Sequence, residues 1–444
     1  MRLKSFKLIT LIAICVISVA SMSSCGKANP KKLLDFYPKP DGTYAVAIGN
    51  ARYLEEIVIP KKHKGKSVTE IAQSGFASAP NLESVDIPDT VTVIGQSAFY
   101  SCEKLTTITL PDSVTKIDNT AFGNCTKLAD ISIPDSVTTI GDTVFYNCYS
   151  LTSIIIPDSV TSLGDRAFYE CSNLLSVTIG AGITEISAET FSSCNKIVEV
   201  INKSGMDAKT ISITEKALEV HGGQSKLKTV DDYVFYTYNG ISYLLGYTGD
   251  KTELTLPANY NGGIYEIYKY AFYKSDITSV VTGSGVATIG ERAFGNCSKL
   301  TSASIGTSVA SIGNSAFSNC YELNGIAIPG NVKTIGSSAF YSCDKLTSVA
   351  LYEGITSIGG SAFSSCKSLS SVTIPSSVSE IGAYAFSNCT NLTNAKFTTS
   401  SGWSCSSSTS SSSVTALSAS ELANPETAAK YLTTEHNHRI WTRK

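Results

Sequence analysis

Cysteine is the residue type whose spacing in this sequence first suggests chemistry. Two series of cysteines recur at intervals of 23 residues: Cys102, Cys125, Cys148, Cys171 and Cys194, then Cys297, Cys320, Cys343, Cys366 and Cys389. Stacked thiols of this kind could form disulfides in an exported protein or hold a metal ion. The same position holds Ala79 and Ser275 in two looser copies, and no Cys-x-x-Cys pair or neighbouring His accompanies it. We therefore interpret the cysteines as buried, reduced thiols acting as small apolar side chains, with disulfides and metal binding as the alternatives.

Other residue types that could carry catalysis or bind metal are sparse. His436 and His438 would share one face of a strand, which could suit a metal, but no third ligand lies nearby in the sequence. An Asp recurs once per period at a turn, and we interpret these residues as turn formers rather than calcium ligands. No nucleophile elbow, zinc-protease motif or dinucleotide fingerprint is present. The sequence predicts no enzyme activity, cofactor or metal site, with a hydrolase hidden in the irregular segments as the alternative.

The cysteines belong to a repeat whose apolar positions indicate how each period folds. One period reads Leu105-x-x-Ile108-x-Leu110-Pro111-x-Ser113-Val114-x-x-Ile117-x-x-x-Ala121-Phe122-x-x-Cys125. The alternation around Ile108 predicts a half-buried strand, which Pro111 ends because it has no N–H to donate. Val114 to Ile117 predict a second extended segment, and Ala121 to Cys125 predict one helical turn. No single period can close a core, so the periods must stack into a solenoid.

Five full periods run from residue 82 to 196 and five more from 277 to 391, with looser copies at 54–81 and 251–276. The pattern Ile131-x-Ile133-Pro134-x-Ser136-Val137-x-x-Ile140-Gly141-x-x-x-Phe145-x-x-Cys148 resembles the BspA-like leucine-rich repeats of bacterial surface proteins. The resemblance covers roughly residues 54–397 and implies cell-surface adhesion and binding of host proteins. The sequence departs from the pattern where the Pro is replaced by Gly180, Gly283, Gly306 and Tyr352. We expect those coils to turn differently at that corner.

The first residues are typical of an export signal. A basic start is followed by an apolar run, Leu8 to Ala20, that is too short to span a bilayer. Met22-Ser23-Ser24-Cys25 resembles a bacterial lipobox, although Leu is more usual than Met at its first position. The resemblance implies acylation of Cys25 and a lipid anchor in the bacterial cell envelope, on its outer surface. The alternative is an ordinary secretory signal that leaves Cys25 as a free thiol.

The period fails between the two blocks and at both ends. Tyr233–Tyr238 and Ile241–Leu245 flank Asn239-Gly240, which predicts a β-hairpin insertion that caps one block and joins it to the next. An alternative is that its exposed tyrosines bind a partner. Asn424-Pro425-Glu426 predicts a helix start near the end, and Ile440-Trp441 a closing strand. The predicted divisions are a signal peptide 1–24, a tether 25–40, a first repeat block with its cap 41–201, an insertion 202–250, a second repeat block 251–397, a weakly ordered Ser-rich segment 398–415 and a C-terminal cap 416–444.

The predicted fold is thus a β-rich leucine-rich-repeat solenoid with a hairpin insertion and a terminal cap. Its candidate ligand surface is the outward side of the first strand of each period. The residues expected there are Thr107, Thr109, Asp130, Ser132, Ser153, Ile155, Ser176 and Thr178, with Ser302, Ser304, Ser348, Ala350, Ser371 and Thr373 in the second block.

Only 16% of residues are charged, against about 25% on average, and the net charge is −2, so no basic field would attract nucleic acid. The expected partner is a protein or glycan of a host or neighbouring cell. The alternative function is a structural envelope protein without a specific ligand.

Overall fold

Most periods of the sequence form one coil of two short strands joined by turns. In a computed structural model that describes residues 33–207, 217–407 and 414–443, the chain makes a β-solenoid of about 15 turns. In the coil that starts at Leu105, the first strand (Thr107–Thr109) buries Ile108 and exposes the residues on either side of it. The second strand (Lys116–Ile117) buries Ile117, and the side chains of Phe122 and Cys125 are fully buried beneath the turns that follow. The predicted solenoid is confirmed.

Strands of successive coils stack in parallel, so the first strands and the second strands of the coils form separate sheets. The N-terminal cap contains β1 (Asp35–Pro38), β2 (Tyr44–Ala47) and a 3₁₀ helix (Gly49–Ala51). The first block contains β3 (Glu56–Val58), β4 (Lys62–His63), β5 (Lys66–Ile71), β6 (Ser84–Asp86), β7 (Val93–Ile94), β8 (Thr107–Thr109), β9 (Lys116–Ile117), β10 (Asp130–Ser132), β11 (Thr139–Ile140), β12 (Ser153–Ile156), β13 (Ser162–Leu163), β14 (Ser176–Ile179) and β15 (Glu199–Asn202). Strand β16 (Glu219–His221), in the predicted insertion 202–250, extends the sheet of this block beyond β15.

The second half of the chain repeats this arrangement. It opens with β17 (Lys228–Val230), β18 (Tyr233–Tyr238) and β19 (Ile241–Tyr247). The coils that follow contain β20 (Glu253–Thr255), β21 (Tyr265–Ile267), β22 (Ser279–Val281), β23 (Val286–Ile289), β24 (Ser302–Ser304), β25 (Ser311–Ile312), β26 (Gly325–Ile328), β27 (Thr334–Ile335), β28 (Ser348–Leu351), β29 (Ser357–Ile358), β30 (Ser371–Ile374), β31 (Glu380–Ile381) and β32 (Asn394–Phe397). The end of the chain forms β33 (Trp403–Ser406), β34 (Val414–Ala416), α1 (Ala419–Ala423), α2 (Pro425–Lys430), a π-helical turn (Tyr431–Glu435) and β35 (Ile440–Arg443).

Both blocks begin with an antiparallel hairpin whose second strand heads the sheet of second strands. Strand β2 pairs with β1 on one side and with β5 on the other, and β19 pairs with β18 and β21 in the same way. The predicted hairpin is confirmed. Its turn residues Asn239 and Gly240 both have positive φ, +49° and +79°, as the tight primed turns of hairpins require.

The segment predicted as one helical turn is a run of hydrogen-bonded turns. Within it, residues such as Thr120 and Asn124 adopt the left-handed region, with φ of +59° and +60°. Their N–H groups donate to carbonyl groups of the next coil, at 2.8 Å to Asp142 and 2.6 Å to Tyr146. These bonds between coils hold a backbone that would otherwise be unfavourable for residues other than Gly.

Two segments expected to lack regular structure contain strands. Residues 35–38 of the predicted tether form β1, where Phe36 stacks on His63 with ring centroids 4.0 Å apart. In the Ser-rich segment 398–415, Trp403–Ser406 form β33, because Trp403 and Cys405 bury their side chains against the end of the second block. The prediction of a weakly ordered segment is therefore wrong for these residues.

The C-terminal cap closes the second block as the sequence predicts. The side chain of Asn424 accepts hydrogen bonds from the N–H groups of Glu426 and Thr427, and Pro425 opens helix α2. Strand β35 pairs antiparallel with β31, the last second strand, so the open edge of that sheet is covered. None of the helices in the described part of the chain has the length and apolar character needed to cross a bilayer.

Candidate functional site

The outward side of the first strands, here called the strand face, is exposed over five coils of the first block. The parallel register places Asp130 beside Thr107 and Ser132 beside Thr109. Ser153 is exposed, and Ile155 has 64% of its surface accessible. Six of the eight residues predicted on this surface therefore face solvent.

Ser176 and Thr178 do not belong to the exposed strand face. They are buried, with 4% and 7% of their surface accessible, so the prediction that they face a ligand is wrong. Strand β15 continues the sheet beside them and places Glu199 in register with Ser176. Residues 221–226 then fold over Glu199, whose side chain has no exposed surface. The strand face of the first block consequently ends at β12.

The groups around Glu199 form a structural cluster. Its carboxylate accepts hydrogen bonds from the Ser225 hydroxyl and from the N–H of Lys226 at 3.0 Å, and lies 3.2 Å from His221 Nε2. The N–H of Gly223 donates to His221 Nδ1 at 3.1 Å, so both ring nitrogens are engaged. The His221 ring contacts the carboxylate and the backbone and not the Ser225 hydroxyl, so Ser225, His221 and Glu199 are not arranged as a Ser-His-acid relay.

The strand face of the first block is acidic. In the first block it carries the carboxylates of Glu56, Asp86 and Asp130 and no Lys or Arg on strands β3, β6, β8, β10 and β12. A groove of about 420 Å³ at its N-terminal end is lined by Glu56, Asp86, Thr109 and the half-exposed Val58. This face would repel nucleic acid and suits an uncharged or basic partner.

The second block presents a longer strand face than the first. Its seven first strands, β20 to β32, stack without a covering segment, and their outward residues are mostly small and exposed. The predicted Ser302, Ser304, Ser348, Ala350, Ser371 and Thr373 all lie on it and are exposed. Nothing in the repeat pattern favours this block over the first, because the segment that covers part of the first block is visible only in the folded chain.

The repeat cysteines lie in columns inside each block, away from any surface that could hold a ligand. All 11 described cysteines are free and buried. In successive coils the thiol donates to the carbonyl of the repeat Phe one coil earlier, as Cys125 does to Phe99 at 3.1 Å. Burial raises the pKa of Cys148 and Cys343 to about 12, so these thiols stay protonated near neutral pH.

The remaining candidate residues from the sequence are Cys25, the hairpin tyrosines and the C-terminal histidines. Cys25 lies outside the described residues. Of the hairpin tyrosines, Tyr233 and Tyr236 are buried, and the hydroxyl of Tyr236 donates to Glu219 at 2.7 Å, so a ligand cannot reach them. Burial lowers the pKa of His436, whose backbone carbonyl accepts from the Trp441 ring at 3.1 Å. Among the described residues, no three His, Cys, Asp or Glu side chains are grouped so that they could hold a metal ion.

Comparison with known proteins identifies the repeat. The BspA-type leucine-rich repeat model matches residues 69–198 and 265–401, in six copies. The leucine-rich repeat protein of T. pallidum is 28% identical over 45% of this chain and 100% of its own, with a TM-score of 0.39. A leucine-rich cell surface protein of Faecalibacterium prausnitzii is 29% identical over 85% of this chain and 96% of its own, with a TM-score of 0.36. A leucine-rich repeat protein of Bacteroides ovatus is 26% identical over 82% and 92%, with a TM-score of 0.35. No curated protein matches the chain.

Proposed function

Because the chain belongs to the family of BspA-type leucine-rich repeat proteins, we propose that it is a cell-surface scaffold that binds a protein or glycan of a host or neighbouring cell. Membership of this family indicates a binding or scaffold role, and leucine-rich-repeat solenoids are typically not enzymes. The observation that carries the proposal is the uncovered strand face of the second block. It presents seven stacked strands of small, exposed, mostly uncharged residues to an extended partner.

Substitutions on the strand face test the binding function. Ala327, Ala350 and Thr373 are exposed there, and their replacement together by Glu places three carboxylates across the surface without touching the core. We expect attachment of cells to immobilised matrix proteins or mucin glycans to fall about tenfold, because the partner must then desolvate unpaired charges.

The matched control carries three glutamates elsewhere on the second block. Ser298→Glu, Thr307→Glu and Ser337→Glu change exposed residues outside the first strands and should leave attachment unchanged. Equal attachment by both variants and the unaltered chain would reject the strand face as the binding surface. If deletion of the gene weakened the envelope and left adhesion intact, the structural alternative would replace the binding scaffold.

We also propose that the chain is exported and held at the surface by lipid on Cys25. The basic start, the short apolar run and the lipobox-like Met22-Ser23-Ser24-Cys25 support this proposal. Cells grown with labelled palmitate should label the native chain and not the Cys25→Ala variant, and external protease should cleave the native chain on intact cells. An unlabelled chain found in the medium would instead indicate a secreted binder.

A further inference from the structure

A cleft lies where the second block meets the first. It has a volume of about 540 Å³, within the range of small-ligand sites. Residues of the last coils of the first block form one side of it, and the hairpin β18–β19 and the first coil of the second block form the other. It adjoins the strand face of the first block at Ser153 in β12, and the rest of its lining lies outside that face.

Lys196 is buried in this cleft without a counter-ion. Only 6% of its surface is accessible, and its ammonium donates to Asn173 Oδ1 at 2.7 Å and to the carbonyl of Ala271 at 2.8 Å. Both acceptors are neutral, and no carboxylate of the described residues lies within ion-pair distance of Lys196. Burial lowers the pKa of Lys196 to about 7. A buried ammonium of this kind is stabilised by an anion placed next to it.

An exposed counterpart of Lys196 shows that the repeat itself does not cause this environment. Lys104 occupies the same position of an earlier coil, two residues after the repeat cysteine, and donates to Asn81 Oδ1 at 3.0 Å. Its side chain is exposed, because further coils rather than a second block follow it. Lys196 is therefore buried because the second block packs against its coil, and not because of its position in the repeat.

The remaining lining of the cleft is basic, aromatic and rich in hydroxyl groups. Lys274 is exposed, and its ammonium lies 5.5 Å from the ring centroid of Tyr149 and 5.6 Å from that of Tyr273. Tyr247 adds a second ring to the wall, and hydroxyls such as that of Thr152 face the same space. No Asp or Glu lines the cleft, so its fixed charge is positive.

We propose that the junction cleft binds a carboxylate-bearing sugar residue of an extracellular glycan. The sugar carboxylate lies between Lys196 and Lys274 and supplies the missing counter-charge, and the ring of Tyr273 packs against the apolar face of the sugar. Side-chain hydroxyls such as that of Thr152 meet the sugar hydroxyls. An acidic peptide side chain could supply the charge, but it would leave this hydroxyl-rich wall without hydrogen-bonding partners. The proposal goes beyond the proposed function, because the strand face that carries that function belongs to the second block and contributes no residue to the cleft.

The test is calorimetric titration of the full chain with acidic sugars and matched neutral ones. The probes are digalacturonic acid and its methyl ester, sialyllactose and lactose, and an Asp-Asp-Asp peptide. At least one acidic sugar should bind at least about tenfold more tightly than its neutral match. Its affinity should fall as the pH rises from about 6 to about 8, with proton uptake on binding at about pH 7, since the anion favours protonated Lys196.

Substitutions show whether a loss of sugar affinity comes from the cleft itself or from a general effect on folding. Lys274→Ala changes an exposed side chain and should reduce the affinity at least about tenfold, as should Lys196→Met, whereas Lys104→Met should retain it. The proposal is overturned if each acid binds no better than its neutral match, if Lys274→Ala binds normally, or if the peptide binds as tightly as the sugars. Proteins with a substitution in the cleft should still support cell attachment through the strand face. The protein with the three strand-face glutamates should still bind the acidic sugar. Either proposal can therefore fail without the other.

Discussion

At the scale of single residues, the exposure of a side chain is set by the segments packed around it and not by its position in the repeat. Lys196 and Lys104 share a repeat position and the same bond to an Asn one coil earlier. One of them is buried and the other is exposed. The difference is electrostatic, since only the buried ammonium has lost most of its contact with water.

The pH dependence of stability tests this difference. Burial lowers the pKa of Lys196 to about 7, whereas an unfolded lysine titrates near about 10.4. Between these values the unfolded chain binds the additional proton, so the folded state gains stability as the pH rises, by up to about 1.4 kcal/mol per pH unit. The free energy of unfolding of the native chain should rise relative to that of Lys196→Met between about pH 7 and pH 9. Parallel curves for the two proteins would show that Lys196 titrates normally.

Thiol reactivity tests the interpretation of the repeat cysteines. Burial raises the pKa of Cys297 to about 12, as it does that of Cys148, so thiolate is scarce and shielded from reagents. The 11 described cysteines should resist alkylation in the native chain and react after unfolding. A control cysteine placed at exposed Ser298 should react at once. Rapid native labelling of Cys148, measured by mass spectrometry, would contradict the structure.

At the scale of elements, stacking of like residues stabilises the coils. In the second block the repeat Phe rings stack with centroids 5.0–5.3 Å apart, close to the spacing of neighbouring strands. Four corners lack the repeat Pro, and one of them turns differently. Gly283 has φ of +61°, which Pro cannot adopt, so the prediction is confirmed for that coil; Gly180, Gly306 and Tyr352 do not have positive φ.

Removal of one ring from the column should weaken the second block strongly. Phe317 is fully buried and stacks on Phe294 at 5.0 Å and on Phe340 at 5.2 Å. Phe317→Ala should lower the free energy of unfolding by about 3–5 kcal/mol, because it removes these contacts and leaves a cavity. Tyr321→Ala, at a ring that is 44% exposed, should change it by less than about 0.5 kcal/mol. Chemical denaturation measures both, and a similar effect of the two substitutions would argue against the stacked column.

At the scale of the whole molecule, the two blocks are joined by a small apolar cluster. It contains Leu175 and Val198 from the first block and Val234, Tyr236, Leu245 and Tyr268 from the hairpin and the second block. In a solenoid each unit contacts only its neighbours, so the two blocks unfold together only if this junction is stable.

A substitution in the junction should therefore uncouple the blocks. Leu245 is 1% exposed, and Leu245→Ala should cost about 2–4 kcal/mol and separate unfolding into two transitions. Leu323→Ala removes an equally buried side chain within the second block and should weaken that block without affecting the junction. Hydrogen exchange resolved along the chain would distinguish the two variants. A single transition with an unchanged denaturant slope for Leu245→Ala would show that the blocks are coupled by other contacts.

The repeat pattern is sufficient to predict the solenoid, because residues equivalent to Phe122 and Cys125 recur in phase and only stacking can bury them all. The sequence also located the hairpin turn at Asn239-Gly240, where local backbone preference is strong. The burial of Ser176 and of Lys196, by contrast, is visible only in the folded chain. Both residues look like their exposed counterparts in other coils, and what covers them comes from segments distant in the chain. A repeat determines contacts between neighbouring coils, whereas the surface left free for a ligand depends on where the repeat is interrupted.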